Sequence, residues 1–183
     1  LKEQKKETQN RLHTAKDIYI KSTHEAIIEL LEEKIDQTSK RIEGMIKQKE
    51  SLNIEYQNLQ TIPAIGKETA VILLRHLTDK NFETANKFVA FAGLSPKIEQ
   101  SGTSVNKKGR LSRYGHRQLK RALFMPAIVA YRMNAFPQLV RNLEAAKKPK
   151  MIIIVALMRK LAKIAFYIHK TKKPFDKARH QTV

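Results

Sequence analysis

The chain has no cysteine in its 183 residues, which excludes a disulfide framework, thiolate metal sites and cysteine nucleophiles and fits a reducing compartment. Long apolar runs are missing too. The longest, MIIIVALM at residues 151–158, falls far short of the roughly 20 residues a bilayer span requires. The opening LKEQKKETQN lacks the apolar core of a signal peptide. These absences predict a soluble, cytoplasmic chain with no membrane partner. Leu1 falls inside a charged helical pattern, the mark of a piece of something longer. Carboxylates are scarce in one part only: residues 1–60 hold eleven Lys/Arg and eleven Asp/Glu, whereas residues 61–183 hold 25 and six. The whole net charge of +19 therefore lies behind residue 60. Such an excess repels itself without a polyanionic partner, so a neutral front points to protein and a basic back to nucleic acid.

What is present in the front is a period. Ile28, Leu31, Ile35, Thr38, Ile42, Met45, Lys49, Leu52, Tyr56 and Leu59 follow a 3-4 spacing, the pattern of a coiled-coil seam. Ser22 or Thr23 is placed to cap its start, with Glu25 at capping-box spacing from Ser22. Self-association and an intramolecular hairpin with residues 1–15 both bury such a seam, as does packing against the chain's own domain. The expected division is a helical connector at 1–60 and a helical domain at 61–183.

Beyond Leu59 the stretch LQTIPAIGKETAVILLRHL reads as two helices joined by a tight turn, with Pro63 ending the first and Gly66 taking an unusual backbone conformation. Lys67 and Thr69 fall in the first turn of the second helix, where free amides and the positive dipole end suit a phosphate. The unit resembles a helix-hairpin-helix, with Ala64 where glycine is usual. Ile65, Gly66, Lys67 and Thr69 are its candidate nucleic-acid contacts, and a hairpin used only for packing is the plain alternative.

A short helix at about 84–92 places Phe88, Val89, Phe91 and Ala92 on or near one buried face and stops at Gly93. Residues 95–112 have loop composition, and a loop of that length is more often functional than idle. It carries Ser101 beside Gly102 and opens a dense run of cations: Lys97, Lys107, Lys108, Arg110, Arg113, Arg117, Lys120 and Arg121, against the single carboxylate Glu99. A helix at about 113–132 then aligns Arg113, Arg117, Lys120 and Arg121 on one face, with Leu119, Leu123, Ala127 and Ala130 inward. Pro126 should kink or break it. Helices at about 136–146 and 150–169 follow, the second burying Ile153, Leu157, Leu161, Ile164 and Ile168 and presenting Arg159, Lys160 and Lys163 on its other side. The tail is basic, with Phe175 able to dock. No strand pattern of convincing length appears, so the fold class is all-α: a long coiled-coil helix followed by a compact helical domain.

The succession IPAIG, FETANKFVAFAGLSPKIEQSG, GRLSRYGHRQLKRALFMPA and IIIVALMRKLAKIAFYIHKTKKPFD resembles, in order and spacing, the transposases of the insertion-sequence one-ten family, also called Piv-like or DEDD transposases. The resemblance covers essentially the whole chain. It implies a DNA recombinase whose C-terminal domain supplies a serine nucleophile, here Ser101, and whose acidic, RuvC-like N-terminal domain holds the Mg²⁺. It also implies DNA and a structured guide RNA as partners, while the coiled-coil seam itself points to self-association. None of the acidic tetrad can be assigned on this chain, so the 183 residues read as half an active site, inactive alone. His116 stands where Asn is common in that family, and Pro126 lies in a helix usually free of proline.

The residues carry part of that chemistry unaided. A serine hydroxyl attacking a phosphodiester needs a base or metal and stabilisation of the developing charge. Arg110, Arg113 and Arg117 suit the second need; the first must be met from elsewhere. Ser104 is the nearest rival nucleophile. The six histidines show no metal-ligand spacing, and no Walker, Rossmann or zincin pattern is present, so no metal or cofactor is expected on this chain. A non-enzymatic helix-hairpin-helix module gripping DNA or RNA is the alternative function. It needs no reactive serine.

Overall fold

The apolar periods become helices throughout. The computed structural model describes residues 1–95 and 114–178 in full, and residues 96–97, 100–101, 105–106 and 110–111 as backbone. Eight helices carry the described residues, as the all-α reading requires, and the chain divides into two units, 1–50 and 51–183.

In the first unit α1 (Lys2–Thr14) packs along α2 (Ile18–Lys47). The ion pair Lys5 Nζ–Glu32 Oε1 at 2.7 Å, and a groove shared by His13 and Glu25, show that the two run antiparallel. This is the intramolecular hairpin with residues 1–15. The start of α2 differs from the capping-box reading. Asp17 is the cap, its carboxylate accepting from the Tyr19 and Ile20 amides at 2.8 and 3.1 Å, while the Ser22 and Thr23 hydroxyls donate back to the Tyr19 carbonyl inside the helix. The seam that reads continuously to Leu59 is carried by two helices. α2 stops at Lys47, and α3 (Glu50–Gln60) resumes after Gln48 and Lys49, where a polar run offers no apolar face to bury.

In the second unit α3 is followed by α4 (Lys67–Asp79), α5 (Ala85–Phe91), α6 (Arg117–Arg132), α7 (Pro137–Ala145) and α8 (Lys150–Thr171). α8 packs against α4, α5, α6 and α7 and is the centre of the unit. Ile153, Leu157, Leu161, Ile164 and Ile168 are all buried, as are Leu119, Leu123, Ala127 and Ala130 of α6. Each buried leucine or isoleucine is worth ~1.5–3 kcal/mol against exposure, so these two stripes hold the unit together.

Pro126 does not break α6, which runs unbroken from Arg117 to Arg132. A proline supplies no N–H to the carbonyl four residues back. Here that carbonyl, of Ala122, accepts the Thr69 hydroxyl of α4 at 3.4 Å instead. The far end of α8 is tied to α3. Lys172 takes a left-handed cap, and its ammonium and the His169 imidazole both meet the carboxylate of buried Glu55. Asn58 Nδ2 donates to the Lys172 carbonyl at 2.8 Å, and the Phe175 amide donates to the Thr61 hydroxyl at 2.7 Å. The Phe175 ring stands edge-on to Phe136, 6.4 Å between centroids, so it docks as expected.

Between α5 and α6 lie four strands of two residues each, β1 (Pro96–Lys97), β2 (Gln100–Ser101), β3 (Val105–Asn106) and β4 (Arg110–Leu111). β1 pairs antiparallel with β4 and β2 with β3, so the inner ribbon nests within the outer one. Two-residue strands are too short to leave a period-2 signal, and composition alone reads this stretch as loop.

Candidate nucleic-acid interface and serine segment

Ser101 lies in the inner ribbon, its Cα partner being Val105. Arg110 lies in the outer ribbon opposite Lys97. Lys107, Lys108 and Arg113 fall outside the described residues, as do Glu99 and Ser104.

What holds the base of this segment is visible in full. Gly93 follows α5 at φ +70°, and Gly115 precedes α6 at φ +120°. The two backbones cross in contact: a Cβ placed on Gly115 would meet the Gly93 Cα at 2.3 Å, and one on Gly93 would meet the Tyr114 carbonyl oxygen at 2.5 Å. Only glycine permits both the dihedral angles and the approach. The Leu94 amide donates to the Val89 carbonyl at 3.0 Å and the His116 amide to the Phe91 carbonyl at 2.8 Å, pinning both strands of the crossing to α5. Sequence reading used Gly93 only as a helix stop and gave Gly115 no role. Two glycines bracketing a long loop were the available signal.

Beside the crossing sit two histidines. His76 of α4 is 5% exposed, and its ring lies 4.1 Å from that of His116, with Phe91 6.0 and 5.5 Å from the two. Burial pushes the His76 imidazole below its ordinary value, and the neighbouring His116 adds to the effect. The Lys80 ammonium covers the Phe91 ring at 4.4 Å.

The predicted basic helix is shorter than expected. Gly115 and the extended His116 precede its start at Arg117, and Arg113 lies outside the described residues, so the described stripe on the helix is Arg117, Lys120 and Arg121. Arg117 and Arg121 are exposed, and Lys120 is half-buried with its ammonium end over Gly93. No carboxylate occupies the first turn of α6. The serine segment thus returns directly onto a helix start that carries three cations.

The α3–α4 turn assigns its strain differently from the sequence reading. Ala64, not Gly66, takes the left-handed conformation, at φ +67°. Gly66 is extended, φ −89° and ψ 175°, and caps α4 with open space where a side chain would stand. Gly66 and Lys67 are exposed, while Ile65 is buried, so Ile65 has only its backbone to offer a ligand. Thr69 is half-buried and committed to Ala122. That bond, with His76 beside His116, sets α4 antiparallel to the first part of α6, with Thr69 level with Ala122 and His76 level with the helix start. The cationic start of α6 and the base of the serine segment are therefore neighbours at the His76 end of α4, and the hairpin turn lies toward its other end.

Among the described residues no group of three or more His, Asp or Glu is placed to hold a metal ion. No helix among them is long and apolar enough to cross a membrane.

Residues 56–141, which include the hairpin turn, the serine segment and α6, match the family described as "Transposase IS116/IS110/IS902 family". The chain is 36% identical over 170 residues to a "Pilin gene-inverting protein" of Moraxella lacunata, covering 91% of the chain and 53% of that relative. The same figures hold for its counterpart in Moraxella bovis. An 80-residue stretch is 41% identical to the "Insertion element IS110 uncharacterized 43.6 kDa protein" of Streptomyces coelicolor, covering 43% of the chain and 19% of that protein. The chain spans about half the length of the pilin gene-inverting relatives it matches.

Proposed function

The chain belongs to the IS116/IS110/IS902 transposase family, and from that premise we propose that it is the DNA-binding, serine-bearing part of a transposase that performs site-specific DNA recombination. Ser101 is the nucleophile. The observation that carries this reading is the placement of Ser101 in a ribbon clamped at Gly93 and Gly115 onto the cationic start of α6.

In the reaction the Ser101 hydroxyl attacks a backbone phosphorus of DNA. A phosphorus–Oγ bond forms, the bond from phosphorus to one deoxyribose oxygen breaks, and that oxygen takes up a proton and leaves as a strand-end hydroxyl. The serine proton passes to a base. A hydroxyl of a second strand end then attacks the phosphoserine, rejoining DNA and restoring Ser101. Arg117, Lys120 and Arg121 neutralise the flanking phosphates. The described residues offer no site for the Mg²⁺ that the family resemblance implies, so base and metal belong to an acidic, RuvC-like domain outside these residues, and no step is assigned to the metal here.

The hairpin acts as a helix-hairpin-helix, holding a phosphate through the Gly66 and Lys67 end of α4. Self-association uses the α2 seam: α1 covers only its N-terminal half, and Ile42 and Met45 stand exposed beyond it. A structured RNA is the second nucleic-acid partner, met by the remaining cations of the second unit.

The test is a covalent adduct. Full-length protein is incubated with element-end DNA, guide RNA and Mg²⁺, and a phosphoserine link is sought by denaturing gel and mass spectrometry. An adduct at Ser101, lost in Ser101→Ala together with recombination but not binding, supports the reading. Recombination undiminished in Ser101→Ala overturns it and leaves a non-enzymatic nucleic-acid clamp.

A further inference from the structure

The crossing of Gly93 and Gly115 has a neighbour whose polar atoms are unsatisfied. His76 Nε2 and His116 Nδ1 are shielded from solvent, and neither has a hydrogen-bond partner among the described residues. A native protein rarely leaves two imidazole nitrogens in that condition side by side, and such groups call for an explanation. Here the two rings touch, Phe91 closes a third side, and His116 is joined through its own backbone to Gly115 on one side and to the Phe91 carbonyl on the other.

We propose that the His76–His116 pair is a proton-sensitive latch that positions the Ser101 segment: His76, uncharged and packed on the His116 ring, holds Gly93 against Gly115, and a proton on His76 parts the rings and loosens the crossing at the base of the segment. Both histidines are positioning residues that act through the glycine crossing. The consequence for catalysis rests on the reading of Ser101 as nucleophile; the latch itself does not.

The surroundings give the latch its direction. Arg75 and Asp79 face His76 from α4, Lys80 lies over Phe91, and Arg117 and Lys120 stand at the start of α6. Gln118 hydrogen-bonds His76. Cations outnumber the one carboxylate, Asp79, in that set. A proton added to the pair therefore meets burial and like charge together, and water is where the charged ring is best accommodated. The His76 imidazole is already held below its ordinary value by burial first and the neighbouring cationic groups second, which makes the neutral His76 ring the resting state near neutrality. Acid opens the latch and base closes it.

The experiment is an NMR titration of the 183-residue chain from about pH 8 to about pH 5, following the ring protons of His76 and His116 and the amides of Gly93, Leu94, Gly115 and His116. The expected result is a His76 midpoint below that of an exposed histidine, at which the four amides shift and lose exchange protection with the ring. His76→Phe keeps an aromatic ring and removes one titrating group; it should abolish or displace that midpoint while amides of α8 remain unchanged. If His76→Phe does not fold, His116→Asn, which keeps a hydrogen-bonding side chain without a titrating one, makes the same comparison. Histidine rings that titrate while the four amides hold still overturn the latch. So does a His76 ring that stays neutral over the whole range. Failure to find an adduct at Ser101 overturns the serine chemistry and leaves this titration standing, so the two ideas fail separately.

Discussion

Residues 1–50 and 51–183 are both helical, yet they are held by different kinds of contact. In the first unit only Thr8 and Ile46 are buried, and most side-chain bonds span three or four positions, such as Lys40–Asp36 at 2.7 Å and Gln37–Glu33 at 2.6 Å. In the second, the polar ties reach across the sequence: Thr69 to Ala122 over 53 positions, His169 to Glu55 over 114, Lys172 to Glu55 over 117. A unit held locally frays by degrees, whereas one held by long-range ties and a shared core opens as a whole. The same division separates neutral from basic surface. Sites that must keep several groups in register therefore fall in the second unit.

The most severe way to break the comparison is Gly115→Ala. The new methyl meets backbone, which cannot swing aside, and φ +120° is a conformation only glycine accepts readily. A loss of at least ~3 kcal/mol is expected, or roughly 6–12 °C in melting temperature for a chain of this size. Hydrogen exchange should show amides of α6 and α8 losing protection while those of α2 keep theirs. Equal loss in both would mean the chain opens as one body.

Glu55→Ala comes next. Burial alone would raise this carboxyl, but the bonds from His169 and Lys172 outweigh it and hold the group below its ordinary value of 4.5. Removing a carboxylate buried between two such partners costs about 2–4 kcal/mol; Lys172 reaches water, which keeps the figure from the top of the usual range. A depressed carboxyl stabilises fully above its unfolded value and loses that contribution as pH falls through the folded one. The gap between wild type and Glu55→Ala, read from urea midpoints, should therefore be constant near neutrality and shrink below about pH 4.5. A gap that persists unchanged to pH 3 would place the stabilisation in packing instead.

This difference between local and distant ties also explains what was legible in the sequence. The stripes Ile153–Leu157–Leu161 and Leu119–Leu123–Ala127 are buried as their 3.6-residue period demands. Family membership was legible from motifs that each occupy a few adjacent residues. Ala64 and Gly66 exchanged roles, because residue type says which position tolerates a left-handed turn and not which one the packing of Ile62 and Ile65 imposes. The Gly93–Gly115 crossing, the His76–His116 pair and the Glu55 tie have no local signature at all. Each joins residues whose separation is fixed only when α4, α5, α6 and α8 have packed.

Ala64→Gly tests the hairpin on a smaller scale. An alanine at φ +67° bears a cost of about 1–2 kcal/mol that glycine avoids, partly offset by the freer unfolded chain. The net gain should be about 0.5–1 kcal/mol, or some 1–4 °C in melting temperature. A loss of stability would show that the Ala64 methyl makes a contact worth more than its strain.

Gly44→Ala should have the smallest effect. Gly44 lies in the interior of α2, exposed, with nothing within 4 Å of where a methyl would stand. Alanine there lowers the unfolded chain's entropy and favours the helix, for a gain of about 0.5 kcal/mol. Because the first unit is held locally, the gain should slow exchange of α2 amides near the substitution and leave α6 and α8 at their wild-type rates. The same glycine-to-alanine change is thus predicted to stabilise one unit and wreck the other, for reasons set by backbone angle and by what a single methyl meets. Exchange slowed equally in both units would instead tie α2 to the cooperative opening of residues 51–183, and the separation of local from long-range stability would have to be withdrawn.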